Sequence, residues 1–175
     1  MNGCMSGFGG MPTGVLSEGL KQLKSEHPSL LEKLEVQYDL VQQIEKEDNI
    51  ENNFTELIRR VSEFMAELDP HSEREEGVLF PMMGAYVGTT SGPIAVMEYE
   101  HDKAKGYIGS FLKTALEDRI LSIEEMKEQA HLIKSAYATL TEHFAKEENV
   151  LFPMAERMLS DEEKEELAWK IKEIK

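Results

Sequence analysis

A single cysteine, Cys4, leaves no partner for an intramolecular disulfide and rules out a Cys-x-x-Cys metal or redox motif. No run of apolar residues is long enough to cross a bilayer as a helix. The opening MNGCMSGFGGMPTGV has neither a basic start nor a continuous apolar stretch, which speaks against a secretory signal and for a cytoplasmic protein. Basic residues are scarce, with 19 Lys and Arg against 34 Asp and Glu, a net charge of −15. A field of that sign repels phosphate backbones and anionic lipid, so no nucleic-acid or membrane partner is expected. Strand signals are missing as well: no β-branched run alternates with period two over a useful length.

What the chain does have is a phrase written twice. HSEREEGVLFPM runs from His71 to Met82 and HFAKEENVLFPM from His143 to Met154, identical at eight of twelve positions. Glu26-His27 precedes the first copy, and Glu100-His101 precedes the second by a similar interval. A repeat of this length marks a duplicated structural unit, and this one carries polar residues that a core normally avoids.

Helical periodicity surrounds both copies. Leu16, Leu20, Leu23, His27, Leu31, Leu34, Tyr38 and Val41 share one face, and Phe54, Leu57, Val61, Phe64 and Leu68 lead into His71, Glu75, Val78 and Met82. Gly84 to Pro93 is the clearest linker. Beyond it Ile94, Met97, His101, Ala104, Ile108, Leu112 and Ala115 mark a third helix. Ile133, Ala136, Leu140, His143, Glu147, Val150 and Met154 mark a fourth. Ser122–Glu125 and Ser160–Glu163 read as capping boxes, the second opening a short last helix with Leu167, Ile171 and Ile174 on one side. The expected fold is all-α: an antiparallel up-down four-helix bundle over residues 15–158, a flexible Gly-rich arm over 1–14 and a short extra C-terminal helix over 159–175.

Positions i and i+4 of a helix lie on one face, so His71 projects with Glu75 and His143 with Glu147, while His27 and His101 lie on the inward stripes of the first and third helices. A lone inward His is ordinarily a core residue with a hydrogen-bond partner. A carboxylate on a core stripe costs several kcal/mol unless it is paired or bound to a metal, and no Lys or Arg occupies these stripes. Imidazole and carboxylate without thiolate suit iron, manganese or zinc. Six ligands exceed one tetrahedral zinc but suit two ions, each receiving two His nitrogens and two carboxylate oxygens if both Glu bridge. Room then remains for an oxo or hydroxo bridge and a small exogenous ligand. Pro81 and Pro153 are expected to kink their helices beyond the site, and Pro28 and Pro70 threaten the phase of His27 and His71. His131 falls off the face, Glu100 and Asp102 are assigned to solvated surface, and Tyr38, Tyr99 and Tyr137 to core or boundary.

EHPSLLEKL (26–34), HSEREEGVLFPMM (71–83), SGPIAVMEYEHDKA (91–104) and HFAKEENVLFPMAE (143–156) resemble hemerythrin-like domains of the HHE cation-binding type. The likeness is strongest to the C-terminal domain of the repair-of-iron-centres family, di-iron proteins tied to nitrosative and oxidative stress. The resemblance implies His27, His71, His101 and His143 as terminal iron ligands and Glu75 and Glu147 as bridges between two iron ions, oxo- or hydroxo-bridged, with manganese or zinc as substitutes. It implies nitric oxide, oxygen or peroxide as small ligands, or iron supply to iron–sulfur proteins under stress. It leaves open catalysis against binding, and the oligomeric state. The alternative is a reversible oxygen-binding or sensing module. Against that, Lys105 stands where oxygen carriers of this type place an extra His. The repair family also has adjacent N-terminal cysteines, whereas this chain has Cys4 alone.

Overall fold

The computed structural model describes residues 15–175, so Cys4 and the expected arm lie outside the described residues. Helix α1 spans Glu18–Glu45 and α2 spans Ile50–Arg74. Helix α2 continues through a π-helical turn, Glu75–Leu79, into α3, Phe80–Val87. After a short loop α4 runs Pro93–Ala115. Helix α5, Ile123–Lys146, passes through a second π-helical turn, Glu147–Leu151, into α6, Phe152–Met158, and α7 covers Asp161–Glu173. The long helices pack in a ring, α1 on α2, α2 on α4, α4 on α5 and α5 on α1, with α7 laid against α1 and the first π turn. This is the expected four-helix bundle with its extra C-terminal helix, and the described residues include no strand.

Both capping boxes form. The Ser122 hydroxyl accepts from the Glu125 N–H at 3.1 Å and the Glu125 carboxylate accepts from the Ser122 N–H at 2.8 Å, and Ser160 and Glu163 repeat the exchange. The central linker is tighter than expected, because α3 carries on through Gly84 to Val87 and the turn is made by Gly88 (φ 80°) and Gly92 (φ 79°). Pro28 and Pro70 sit inside α1 and α2 without ending either helix. The carbonyls they deprive of a partner belong to exposed Lys24 and Ala66, where water can replace the lost bond, so the phase of His27 and His71 survives.

The expected kinks at Pro81 and Pro153 take a different form and place. The Phe80 N–H reaches the Glu75 carbonyl, and the Phe152 N–H reaches that of Glu147, so one extra residue enters each turn beginning at the Glu itself. The inward face thereby moves on by one position. Val150, expected in the core, is 51% exposed, while Leu151, Phe152 and Ala155 are buried. In the first copy Met83 replaces Met82 in the core. Smaller slips in α1 bury Leu30 and Gln37 in place of Leu31 and Tyr38.

The hydrophobic core is in two parts. One, at the α1–α2 and α4–α5 turn end, is built from Leu30, Leu34, Val41, Phe54, Leu57, Val61, Phe64, Ile108, Phe111 and Leu140 among others. The other gathers Leu20, Leu23, Leu79, Phe80, Met83, Ile94, Met97, Leu151, Phe152, Leu167 and Ile171. Between them, at mid-bundle, lies a polar layer.

Candidate metal centre

That layer consists of His27, His71, Glu75, His101, His143 and Glu147, all at most 2% exposed. The duplicated phrase brings each His to the axis from the last turn of α2 or α5 and its Glu from the start of the π-helical turn that follows, and α1 and α4 add one His apiece. Every ring turns its Nε2 inward. The Glu75 Oε1 lies 3.2 Å from His71 Nε2 and 3.4 Å from His101 Nε2. The Glu147 Oε1 lies 3.1 Å from His143 Nε2 and 3.4 Å from His27 Nε2. Each carboxylate therefore spans a His from its own half of the chain and one from the other. Potential ligand atoms of His27, His71 and Glu147 fall within 4.8 Å of one another, and so do those of Glu75, His101 and His143.

Both oxygens of Glu75 and of Glu147, with His27 Nε2 and His71 Nε2, are buried without a hydrogen-bond partner. Such groups are costly unless something positive joins them. The spacing suits a cation. Two ligands bonded at about 2.1 Å to one tetrahedral ion stand about 3.4 Å apart. The Glu oxygens lie 3.1 to 3.4 Å from the Nε2 atoms, while His101 Nε2 and His143 Nε2, 2.8 Å apart, are within hydrogen-bond distance of each other.

An outer set of carboxylates, missed in the sequence reading, faces the other ring nitrogens. The His71 Nδ1 donates to Glu26 at 2.8 Å, His101 Nδ1 to Glu76 at 2.7 Å and His27 Nδ1 to Glu148 at 3.2 Å. Glu100, assigned to the surface from sequence, is buried, with its Oε2 3.8 Å from His143 Nδ1. A carboxylate only accepts, so the three short contacts fix the proton on Nδ1 and leave Nε2 free as a donor to a metal. Arg74 binds Glu26 at 2.8 Å and Lys146 binds Glu100 at 3.0 Å. The signal was present in the sequence: each copy has a second Glu after the first, and each lone His has a Glu before it. The repeated Phe has a role too. Phe80 packs on the His101 ring at 5.5 Å, and Phe152 and Phe144 stack on His27 at 5.7 and 4.5 Å.

Residues 18–155 match the family described as the hemerythrin HHE cation binding domain. The chain belongs to that family. It is also similar to the iron-sulfur cluster repair protein YtfE of Salmonella schwarzengrund (strain CVM19633), 34% identical over 111 residues, which cover 61% of this chain and 49% of that protein. The YtfE proteins of Salmonella paratyphi B (strain ATCC BAA-1250 / SPB7) and Salmonella newport (strain SL254) match to the same extent. The aligned stretch is about half the length of these curated relatives.

In this hemerythrin-type bundle the buried groups shift one another's protonation. Burial opposes a charge on His71, but Glu75 and Glu26 overcome it and push its pKa up to about 9. Burial likewise resists a charge on His101, and Glu75 and Glu76 raise it to about 8. Burial and the neighbouring His101 take His143 down to about 3, and burial and His71 lower His27. Burial alone would raise the Glu75 pKa, yet His71 and His101 hold it well below the usual carboxylate range. The remaining candidates fall outside the site. Lys105 lies 3.9 Å from Glu76. His131 and Asp102 are exposed. Tyr99 is exposed too, against expectation, and Tyr38 and Tyr137 stack on each other while Tyr137 donates to Glu35. None of the described helices is long and apolar enough to cross a membrane.

Proposed function

We propose that this chain holds two iron ions and works in iron–sulfur cluster repair, its centre meeting nitric oxide, oxygen or peroxide as small ligands. The observation that carries this reading is the pair of buried carboxylates, whose four oxygens have no donor while lying among four inward Nε2 atoms. Cations there offset a desolvation cost of several kcal/mol per buried charge. His27, His71 and Glu147 would hold one ion and His101, His143 and Glu75 the other, each carboxylate also reaching a nitrogen of the opposite group. When bound, two irons would supply adjacent Lewis-acid and one-electron redox centres. Manganese and zinc suit the same donors. The repair of iron–sulfur clusters named for the YtfE relatives favours iron and makes iron–sulfur proteins the recipients.

The chain's own residues do the positioning. Glu75 and Glu147 tie the two positions together, the outer carboxylates orient the rings, and Phe80, Phe144 and Phe152 wall the layer with apolar surface that keeps bulk water out. The test is metal analysis with visible spectra of anaerobically purified protein, before and after nitric oxide. About two irons per chain and a spectral change on nitric oxide are expected, as for a di-metal carboxylate bundle. Iron-free protein from iron-replete cells, with no spectral response, sinks the reading.

A further inference from the structure

We propose that the two cation positions are unequal, and that the position between His101, His143 and Glu75 is the one that exchanges its ion with an outside acceptor. This rests on the di-metal reading above. The duplication makes the halves nearly equivalent, so the places where the equivalence breaks are informative, and they fall on the same side.

At the first position both rings are held from outside, His71 by Glu26 at 2.8 Å and His27 by Glu148 at 3.2 Å. At the second, His101 is held by Glu76 at 2.7 Å, but the His143 Nδ1 is buried with no hydrogen-bond partner. Glu100, its counterpart to Glu26, stops 3.8 Å short and is engaged by Lys146. The two basic residues differ as well. Arg74 is 16% exposed and also donates to the carbonyls of Ile171 and Ile174 at the end of α7, so α7 anchors Arg74, Arg74 anchors Glu26 and Glu26 anchors His71. Lys146 has no such anchor among the described residues and is 48% exposed beside an open groove lined by Val96, Tyr99, Lys103 and Thr139. The packing breaks in the same direction. Phe144 stacks on His27, whereas its counterpart in the first copy is Ser72, which offers no ring and whose buried hydroxyl has no partner. A His whose outer partner is missing is free to rotate off its metal, and losing such a partner typically weakens a site about 10- to 100-fold.

The experiment loads the full chain with ferrous iron under anaerobic conditions and follows its removal by an iron(II) chelator that absorbs visible light. Two phases of equal amplitude are expected. Glu26→Gln should speed the slow phase about 10-fold or more, while Glu100→Gln should change the fast phase less than about 3-fold. Lys146→Met, which frees Glu100 to accept from His143, should slow the fast phase, and it tests the proposal without touching the core should Glu26→Gln fold poorly. A single phase for both ions, or equal acceleration by Glu26→Gln and Glu100→Gln, overturns the proposal while leaving the di-metal reading intact. Failure to load two ions at all overturns both.

Discussion

Glu75 and Glu147 are the residues on which most of the chemistry turns, because each places a carboxylate where only a cation or a protonated imidazole can answer it. Replacing either by Gln keeps the shape and removes the charge. Glu75→Gln and Glu147→Gln are each expected to lower iron affinity by more than about 100-fold, beyond the effect of losing an outer partner, as read by metal content after dialysis against a chelator. The same residues give the metal-free protein a defined pH response. His71 and His101 have folded pKa values raised to about 9 and about 8, so the stability they contribute is full below the ordinary value of 6.5 and is lost as pH rises through that range. His143 and His27 are lowered, so as pH falls below 6.5 the unfolded chain takes up protons that the folded one refuses. The metal-free Tm is therefore expected to peak near pH 6.5 and to fall on both sides; a Tm that climbs steadily from pH 6.5 to 9 contradicts this assignment.

The π-helical turns are the elements that make the duplicated phrase work. Each begins at a buried Glu and ends before a Phe that packs on a His of the other half. With the same residues in a plain α-helix, at 3.6 residues per turn, Phe152 would be rotated by about 100° away from its place in the core. Deleting exposed Asn149 removes the extra residue and should allow the turn to close as α-helix. Because the Phe152 N–H already bonds the Glu147 carbonyl, the shortened turn keeps Phe152 on His27, and the expected cost is small beside the about 3–5 kcal/mol of Phe152→Ala, both read by urea unfolding. A deletion variant as unstable as Phe152→Ala would mean that the extra residue itself is needed to seat Phe152. Helix α7 is held to α1 by close approach: a Cβ at Gly19 would come within 3.0 Å of the Ala168 backbone nitrogen and of Leu167. Gly19→Ala is expected to destabilise by about 1–3 kcal/mol through overpacking, readable in the same unfolding experiment.

At the scale of the whole molecule, a polar layer divides the hydrophobic core into two clusters, so the bundle's stability is linked to what fills the layer. A ligand that binds only the folded state adds RT ln(1 + [L]/Kd), about 2.7 kcal/mol at a hundredfold excess over Kd. Removing iron is therefore expected to lower Tm by several degrees, and re-adding ferrous iron to restore it in a concentration-dependent way. A melting temperature indifferent to iron would show that the layer is self-sufficient. The net charge of −15 acts over the same scale, attracting cations towards the bundle and keeping polyanions away.

The residue order by itself determined the four helices, the internal duplication and the convergence of His27, His71, Glu75, His101, His143 and Glu147, because helical phase is a local property set by 3.6 residues per turn and by where apolar side chains recur. The two Ser–Glu capping boxes were legible for the same reason. The tertiary structure alone decided the rest. Leu151 and Phe152 face inward in place of Val150 because packing on the His rings selects the π turn over the α turn that local periodicity favours. Glu26, Glu76 and Glu148 look from sequence like solvated neighbours of the six inward residues, and only the meeting of helices distant in the chain turns them onto ring nitrogens. Such contacts depend on which helix lies beside which, a distance in space that no spacing along one helix encodes.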